Sequence, residues 1–367
     1  MCRQELTDPN RNPHNVPHCG LVAVVQQQQQ PSDRIIGGQN AGRHSHPWTV
    51  SFHDSYADHR PDVPNERDLH FCTGTIINDR FILTAAHCFD RNPNRKFRIM
   101  VGSNMLMYNN PETAVYTAES HQITGTTETR YWIHMHQQFD PRWSHWDIAL
   151  VKLDRPLVFN ISQEDKQFVV NAACLPGPDN YRPREHITLA AWGLTDRLDP
   201  GSTPFYLQEI QSLVITDDMC RQIEDQTKAI EALAASVQPS KRQQQQLPTT
   251  GADTTTPRYK FHPDSQFCAL SSQAPGVAGM AGVVYDPATY RGPYRGDSGG
   301  GYIEYQQIAN NANNNRRAVL CGIVSGGDAD LINPSVRLTQ VSKFNQWLTE
   351  SMKLDIHSVH NVIDIRN

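Results

Sequence analysis

Short runs of β-branched and aromatic residues alternate with polar, Gly- and Pro-rich stretches along the whole chain. The apolar segments fall at residues 49–52, 81–84, 97–101, 148–153, 187–190, 319–324 and 336–341, divided by clusters of Gly, Pro and Asn. Runs this short read as strands, and their spacing predicts an all-β sandwich or barrel of antiparallel strands. Helical spacing is rarer. Residues 221–237 carry Ile223, Ile230, Leu233 and Val237, with Asp217 and Asp218 near the start, and residues 342–356 set Phe344, Trp347, Leu348 and Met352 on one side.

Three polar stretches interrupt this pattern: a polyglutamine run at 26–30, a segment at 240–257 holding a second Gln run at 243–246, and an Asn-rich segment at 310–315. None can bury enough apolar surface to order itself, so each is expected to be an exposed, mobile loop. There is no repeat and no second independent domain. The 367 residues therefore read as one large all-β domain with insertions. Hydrophobic residues make up 38% of the chain, enough for a packed core. A net charge of −5 and a pI near 6.3 give no reason to expect nucleic-acid binding. The longest aliphatic run, 21–25, falls far short of the roughly 20 residues of a spanning helix, so no membrane span is expected. Eight cysteines, an even count without a CxxC pair, point to disulfides and an oxidising compartment, with no metal or cofactor. The chain opens on MCRQELTDPN, which lacks a signal peptide, so the true N-terminus is expected upstream of Met1.

Chemistry gathers at three places. Thr84-Ala85-Ala86-His87-Cys88 ends one apolar strand, Asp147-Ile148-Ala149-Leu150 begins another, and Gly296-Asp297-Ser298-Gly299-Gly300 follows a Gly/Pro/Tyr-rich loop. The glycines let the backbone turn tightly around Ser298, so its hydroxyl and neighbouring N–H groups face one spot. The order His, Asp, Ser is that of one solution to acyl transfer.

With these three ordered motifs the chain resembles the chymotrypsin/trypsin family of serine proteases over about residues 35–350. The resemblance implies two six-stranded antiparallel barrels with a C-terminal helix and a triad in the crevice between the barrels. His87 would be the general base, Asp147 the orienting carboxylate and Ser298 the nucleophile, with an oxyanion hole from the N–H groups of Gly296 and Ser298. Arg34-Ile35-Ile36-Gly37-Gly38 resembles the activation site. Cleavage after Arg34 would free the Ile35 ammonium to pair with Asp297. The implied organisation is an activation segment at 1–34, a protease domain at 35–350 with enlarged loops at about 54–68, 238–263 and 272–293, and a tail at 351–367.

The same resemblance implies bridges Cys72–Cys88, Cys220–Cys268 and Cys19–Cys174. Cys2 and Cys321 are left over; they pair with each other, or Cys2 belongs to a truncated upstream module. Tyr294, Ile187 and Glu304 stand where the family usually carries further cysteines. Specificity also departs from the pattern. Gly292 replaces the pocket-base Asp of trypsin-like enzymes, and Ser325-Gly326-Gly327 lacks the aromatic wall. The pocket-closing strand is one residue longer, so either Arg337 or Leu338 lines the pocket. Poor cleavage after Arg or Lys follows, and activation by another protease. No acidic calcium loop is evident after Gly102, and Asn160-Ile161-Ser162 is an acceptor triplet for a glycan.

Gly301 in place of the usual proline is similar to a small group of invertebrate proteases that initiate extracellular cascades in immunity or embryonic patterning. The expectation is a secreted serine endopeptidase zymogen with narrow protein substrates, among them another protease zymogen, together with an upstream activating protease and a serpin-type inhibitor. The alternative is a non-catalytic homologue acting as a binding or regulatory module. A digestive protease fits poorly with long inserts around the cleft.

Overall fold

The structure, a computed structural model, describes residues 12–22, 38–54, 66–90, 97–106, 114–117, 122–123, 126–127, 132–153, 155–177, 179–196, 198–236, 260–271, 292–307, 316–326 and 335–353. Two antiparallel sheets dominate, as expected of a two-barrel all-β chain. In the first, seven strands run in the order Trp132–Met135, Ala149–Lys152, Phe81–Thr84, His70–Ile76, Thr49–Asp54, Phe97–Val101 and Ala114–Thr117. The second closes on itself. Its ring runs Gly301–Gln307, His186–Ala191, Gln208–Ile215, Gln266–Ser271, Ser335–Gln340 and Arg316–Gly326, then back to Gly301–Gln307. Closure leaves no bare edge in this ring.

The strands form where the sequence puts stiff β-branched and aromatic side chains. All four residues of Phe81–Thr84 are buried, as are all six of Ser335–Gln340. Phe52, Phe89 and Phe97 meet edge-on or tilted with ring centroids 5.2–5.7 Å apart, an arrangement aromatic quadrupoles favour. Phe267, Leu338, Tyr302 and Ile187 fill the second barrel.

The first expected helix spans Asp217–Ser236 and starts earlier than its apolar spacing suggested. Thr216 Oγ1 caps it by accepting the Met219 N–H at 3.2 Å, and Asp217 and Asp218 sit at the positive end of the helix dipole. Its inward side is Cys220, Glu224 and Thr227, whereas Ile230 is exposed, contrary to the expected apolar face. At the C-terminal end a 3₁₀ turn, Val341–Phe344, leads into the helix Asn345–Lys353, shorter than the predicted 342–356. No described helix is long and apolar enough to cross a membrane. The polar runs at 26–30, 240–257 and 310–315 lie outside the described residues.

The N-terminal segment is sewn to the body. Asn15 makes two hydrogen bonds with Leu175, Nδ2 to its carbonyl at 3.0 Å and Oδ1 from its N–H at 2.6 Å. Leu21–Val22 pairs with Arg316–Gly326, and a disulfide joins Cys19 to Cys174. Bridges Cys72–Cys88 and Cys220–Cys268 are also present. A bond between Cys2 and Cys321, one of the two expected alternatives, is not formed. Cys321 is free and buried in the second barrel, its thiol 3.1 Å from the Tyr302 carbonyl, and burial holds it well above the usual thiol range. Cys2 lies outside the described residues.

Candidate active site

His87 opens the short helix His87–Asp90, immediately beyond the buried strand Phe81–Thr84. Its position is fixed twice by Asp147. The His87 N–H donates to Asp147 Oδ1 at 2.9 Å, and the ring Nδ1 lies 2.6 Å from Oδ2. Asp147 is fully buried, and a buried carboxylate survives only when its oxygens are satisfied. A third donor completes it: Ser325 Oγ reaches Oδ2 at 2.7 Å. Thr339 Oγ1 bonds the Asp147 carbonyl at 2.8 Å, so the second barrel holds the carboxylate by side chain and backbone. With Nδ1–H committed to Asp147, the tautomer leaves Nε2 as the basic nitrogen.

Ser298 sits on a turn pressed against the strands that bear His87. The Thr73 N–H donates to its carbonyl at 2.8 Å. The next residue, Gly299, has φ of +79°, and a Cβ there would stand 2.0 Å from Thr84 Oγ1 and 2.5 Å from the Thr73 carbonyl. Only glycine permits that approach. Because a trans peptide points its N–H and C=O in opposite directions, pinning one aims the other. The Arg295 carbonyl accepts from the Leu194 N–H at 2.8 Å, and the Asp297 carbonyl from the Gly300 N–H at 2.9 Å. The N–H groups on the far sides of those two peptides belong to Gly296 and Ser298. Two adjacent donors so preorganised suit a developing oxyanion.

Asp297 is fully buried between them, and each carboxylate oxygen accepts one N–H, from Gly193 at 2.7 Å and Tyr294 at 2.8 Å. Burial pushes its carboxyl up to about 7 in spite of the two hydrogen bonds. Arg34 and Ile35, the expected activation pair, lie outside the described residues, as does Gly327.

Sequence reasoning passed over several residues that hold this site. His70 Nε2 donates to the Gly296 carbonyl at 2.9 Å and its Nδ1 accepts from Ser51 Oγ at 2.6 Å. Burial lowers its pKa to about 4, keeping the ring neutral, as a donor and acceptor on opposite nitrogens requires. Thr73 Oγ1 adds a second bond to Gly296 at 3.1 Å. The bond from Ser325 to Asp147 was equally hidden, because Ser325 drew notice only as a specificity residue.

Gly292 is buried. Leu338 points into the second barrel with Phe267. Arg337 lies on the opposite side of the strand, under the helix Asp217–Ser236. Its Nη1 is 3.6 Å from Glu224 Oε1, both side chains being under 8% exposed. A Cβ on Gly326 would stand 2.9 Å from Arg337 Nη2, so the guanidinium occupies space that a side chain at Gly326 would contest. Asn160 is exposed on the short strand Asn160–Ile161.

Part of the chain is similar to known proteins. The Trypsin family model matches residues 35–246, a stretch that includes His87 and Asp147 and stops before Ser298. The chain is 28% identical over 204 residues to serine proteinase stubble of Drosophila melanogaster, covering 55% of this chain and 22% of that protein. It is 30% identical over 213 residues to ovochymase-2 of Mus musculus, covering 56% and 30%. To CLIP domain-containing serine protease B4 of Anopheles gambiae it is 29% identical over 186 residues, covering 49% and 45%. The matched stretch thus spans less than half the length of each of these relatives.

Proposed function

Because the chain belongs to the trypsin family of serine proteases, we propose that it is a serine endopeptidase acting through His87, Asp147 and Ser298. The observation that carries this is the buried Asp147, bonded at once to His87 and Ser325, with two aimed N–H groups beside Ser298. In the reaction His87 Nε2 takes the Ser298 proton as Oγ attacks the scissile carbonyl carbon. Asp147 stabilises the resulting imidazolium. The negative oxygen of the tetrahedral intermediate receives the Gly296 and Ser298 N–H groups, each typically worth about 3 kcal/mol. The imidazolium then returns its proton to the departing amine, leaving an acyl-enzyme that water hydrolyses by the same relay.

The enzyme is made as a secreted zymogen, with residues 1–34 as its activation segment, residues 35–350 as the protease domain and residues 351–367 as a tail. Cutting after Arg34 frees the Ile35 ammonium, a cation for the buried Asp297. Its substrates are proteins, another protease zymogen among them, in an extracellular immune or developmental cascade. The CLIP-domain relative supports that setting. An upstream protease cuts Arg34, since Gly292 offers no carboxylate to a basic substrate side chain, and a serpin-type protein is the matching inhibitor class. The exposed Asn160 triplet suits a glycan.

The test is labelling with a fluorophosphonate after cleavage at Arg34, alongside Ser298→Ala. Labelling of the wild type and not of the variant is expected. No labelling of the cleaved wild type would instead make the chain a non-catalytic homologue, the reading that the missing aromatic wall at Gly326 favours.

A further inference from the structure

Away from the triad, the described residues contain one cluster with the chemistry of a cation site. His145 lies on the turn entering Asp147. His262 and Asp264 lie just ahead of the strand Gln266–Ser271. One ligand atom from each can be chosen so that all three lie within 4.8 Å of one another. The imidazoles of His145 and His262 stack with centroids 3.9 Å apart, and His145 also stacks on Trp146 at 3.4 Å. Nε2 of each histidine is buried and makes no hydrogen bond. Asp264 Oδ2 is 3.6 Å from His145 Nε2, beyond hydrogen-bonding range. Two buried imidazole nitrogens without a hydrogen bond, one of them in a long ion-pair contact with a carboxylate, call for an explanation, because buried polar atoms are ordinarily satisfied.

The backbone presents His145 with effort. Ser144 and Trp146 on either side of it have φ of +52° and +50°, the left-handed region that non-glycine residues seldom occupy. The Ser144 carbonyl accepts from Gln266 Nε2 at 2.9 Å, so the two loops are already joined at one point. Burial lowers the pKa of both histidines, His262 to about 4, and a neutral imidazole is the form that binds a metal.

We propose that His145, His262 and Asp264 bind a divalent cation of the zinc class, clasping the turn before Asp147 to the loop before Gln266–Ser271. Two imidazole nitrogens and one carboxylate oxygen are a ligand set that zinc accepts, with water in the fourth place. Calcium and magnesium prefer all-oxygen shells and are the wrong chemistry. Zinc–nitrogen bonds of about 2.0–2.1 Å put tetrahedral ligand atoms about 3.3 Å apart, so the three must close on the ion. The Asp264 side chain, 67% exposed, has the freedom to do so. Lys260 and Arg337 place positive charge near His262, and Asp140 places negative charge near His145. The two histidines are 117 positions apart in the chain, which is why no motif announces them.

The experiment uses the full chain carrying Ser298→Ala, so binding is read independently of protease activity. Zinc chloride is titrated by calorimetry, and thermal unfolding is followed with and without the ion. One ion per chain and a rise of several degrees in Tm are expected, with calcium chloride giving neither. His262→Gln and Asp264→Asn should each weaken binding at least tenfold, while His18→Gln, remote from the cluster, leaves it unchanged. Far-UV circular dichroism confirms the fold of each variant, and Asp264→Asn alters only an exposed group. Absence of saturable binding, or undiminished binding in either cluster variant, overturns the site.

Discussion

Raising the pH from about 4 to about 7 is expected to cost the uncut chain stability through Asp297, and cutting after Arg34 should lift that cost. The carboxyl is fully buried and titrates at about 7, against an ordinary 3.8, chiefly because burial disfavours its charge. Between those values the folded chain holds a proton that the unfolded chain has released, so stability falls as pH rises through the window. The slope is about 1.4 kcal/mol per pH unit, and some three units accumulate roughly 4 kcal/mol, a large share of a typical domain's stability. His70, His136 and His262, each lowered to about 4, act in the opposite sense, adding stability as pH rises from about 4 to 6.5. A single profile therefore sums several groups. The difference between cut and uncut protein isolates Asp297, because only the cut chain can offer it the Ile35 ammonium, and a buried charge is tolerable when paired. Urea unfolding of the Ser298→Ala chain, before and after cleavage at Arg34, is measured from pH 4.5 to 7.5. The stability gain on cutting should widen with pH toward about 4 kcal/mol. A pH-independent gain would refute the assignment.

Three further outcomes follow from the site. Ser325→Ala removes one donor from the buried Asp147 carboxylate; kcat should fall about tenfold with KM little changed, in keeping with about 1–2 kcal/mol for such a bond, and an unaltered kcat would count against the role. Gly299→Ala forces a Cβ onto Thr84 and Thr73 at positive φ, so a Tm loss of several degrees is expected, and a wild-type Tm would show that the turn relaxes freely. Arg- and Lys-ending peptides should be poor substrates that Gly292→Asp improves at least tenfold; rapid cleavage by the cleaved wild type would overturn the pocket reading.

Strands buried on both sides were plain in the sequence: residues 81–84 and 97–101 coincide with Phe81–Thr84 and Phe97–Val101. Others were obscured by the polar residues they carry. His70–Ile76 includes His70 and Thr73, whose side chains brace Gly296, and Gln208–Ile215 includes Ser212, bonded to Tyr302 in the barrel. A polar residue serving a distant partner breaks the apolar run that signals a strand. The helix Asp217–Ser236 misled for the same reason, since Glu224 faces inward to meet Arg337 from another strand. His87, Asp147 and Ser298 stood out as candidates because each sits in a local motif. Their supports did not, because the partners lie far along the chain: Ser51 with His70, Ser325 with Asp147.

The stitching of residues 12–22 bears on what activation would change. Asn12 bonds the Pro176 carbonyl and Asn345, His14 bonds Thr349, and Cys19 is covalently tied to Cys174. A cut after Arg34 therefore makes two polypeptides without releasing either. The cut particle would differ from its precursor by one water molecule, two new chain ends (the Arg34 carboxylate and the Ile35 ammonium) and the connectivity of its backbone. Size-exclusion profiles of the two forms should nearly coincide, while N-terminal sequencing reads Ile35 only in the active one. On the proposed activation the switch would be one of topology at almost constant mass, and anything carried by residues 12–22 would stay with the rest of the chain until a reductant opens the Cys19–Cys174 bridge.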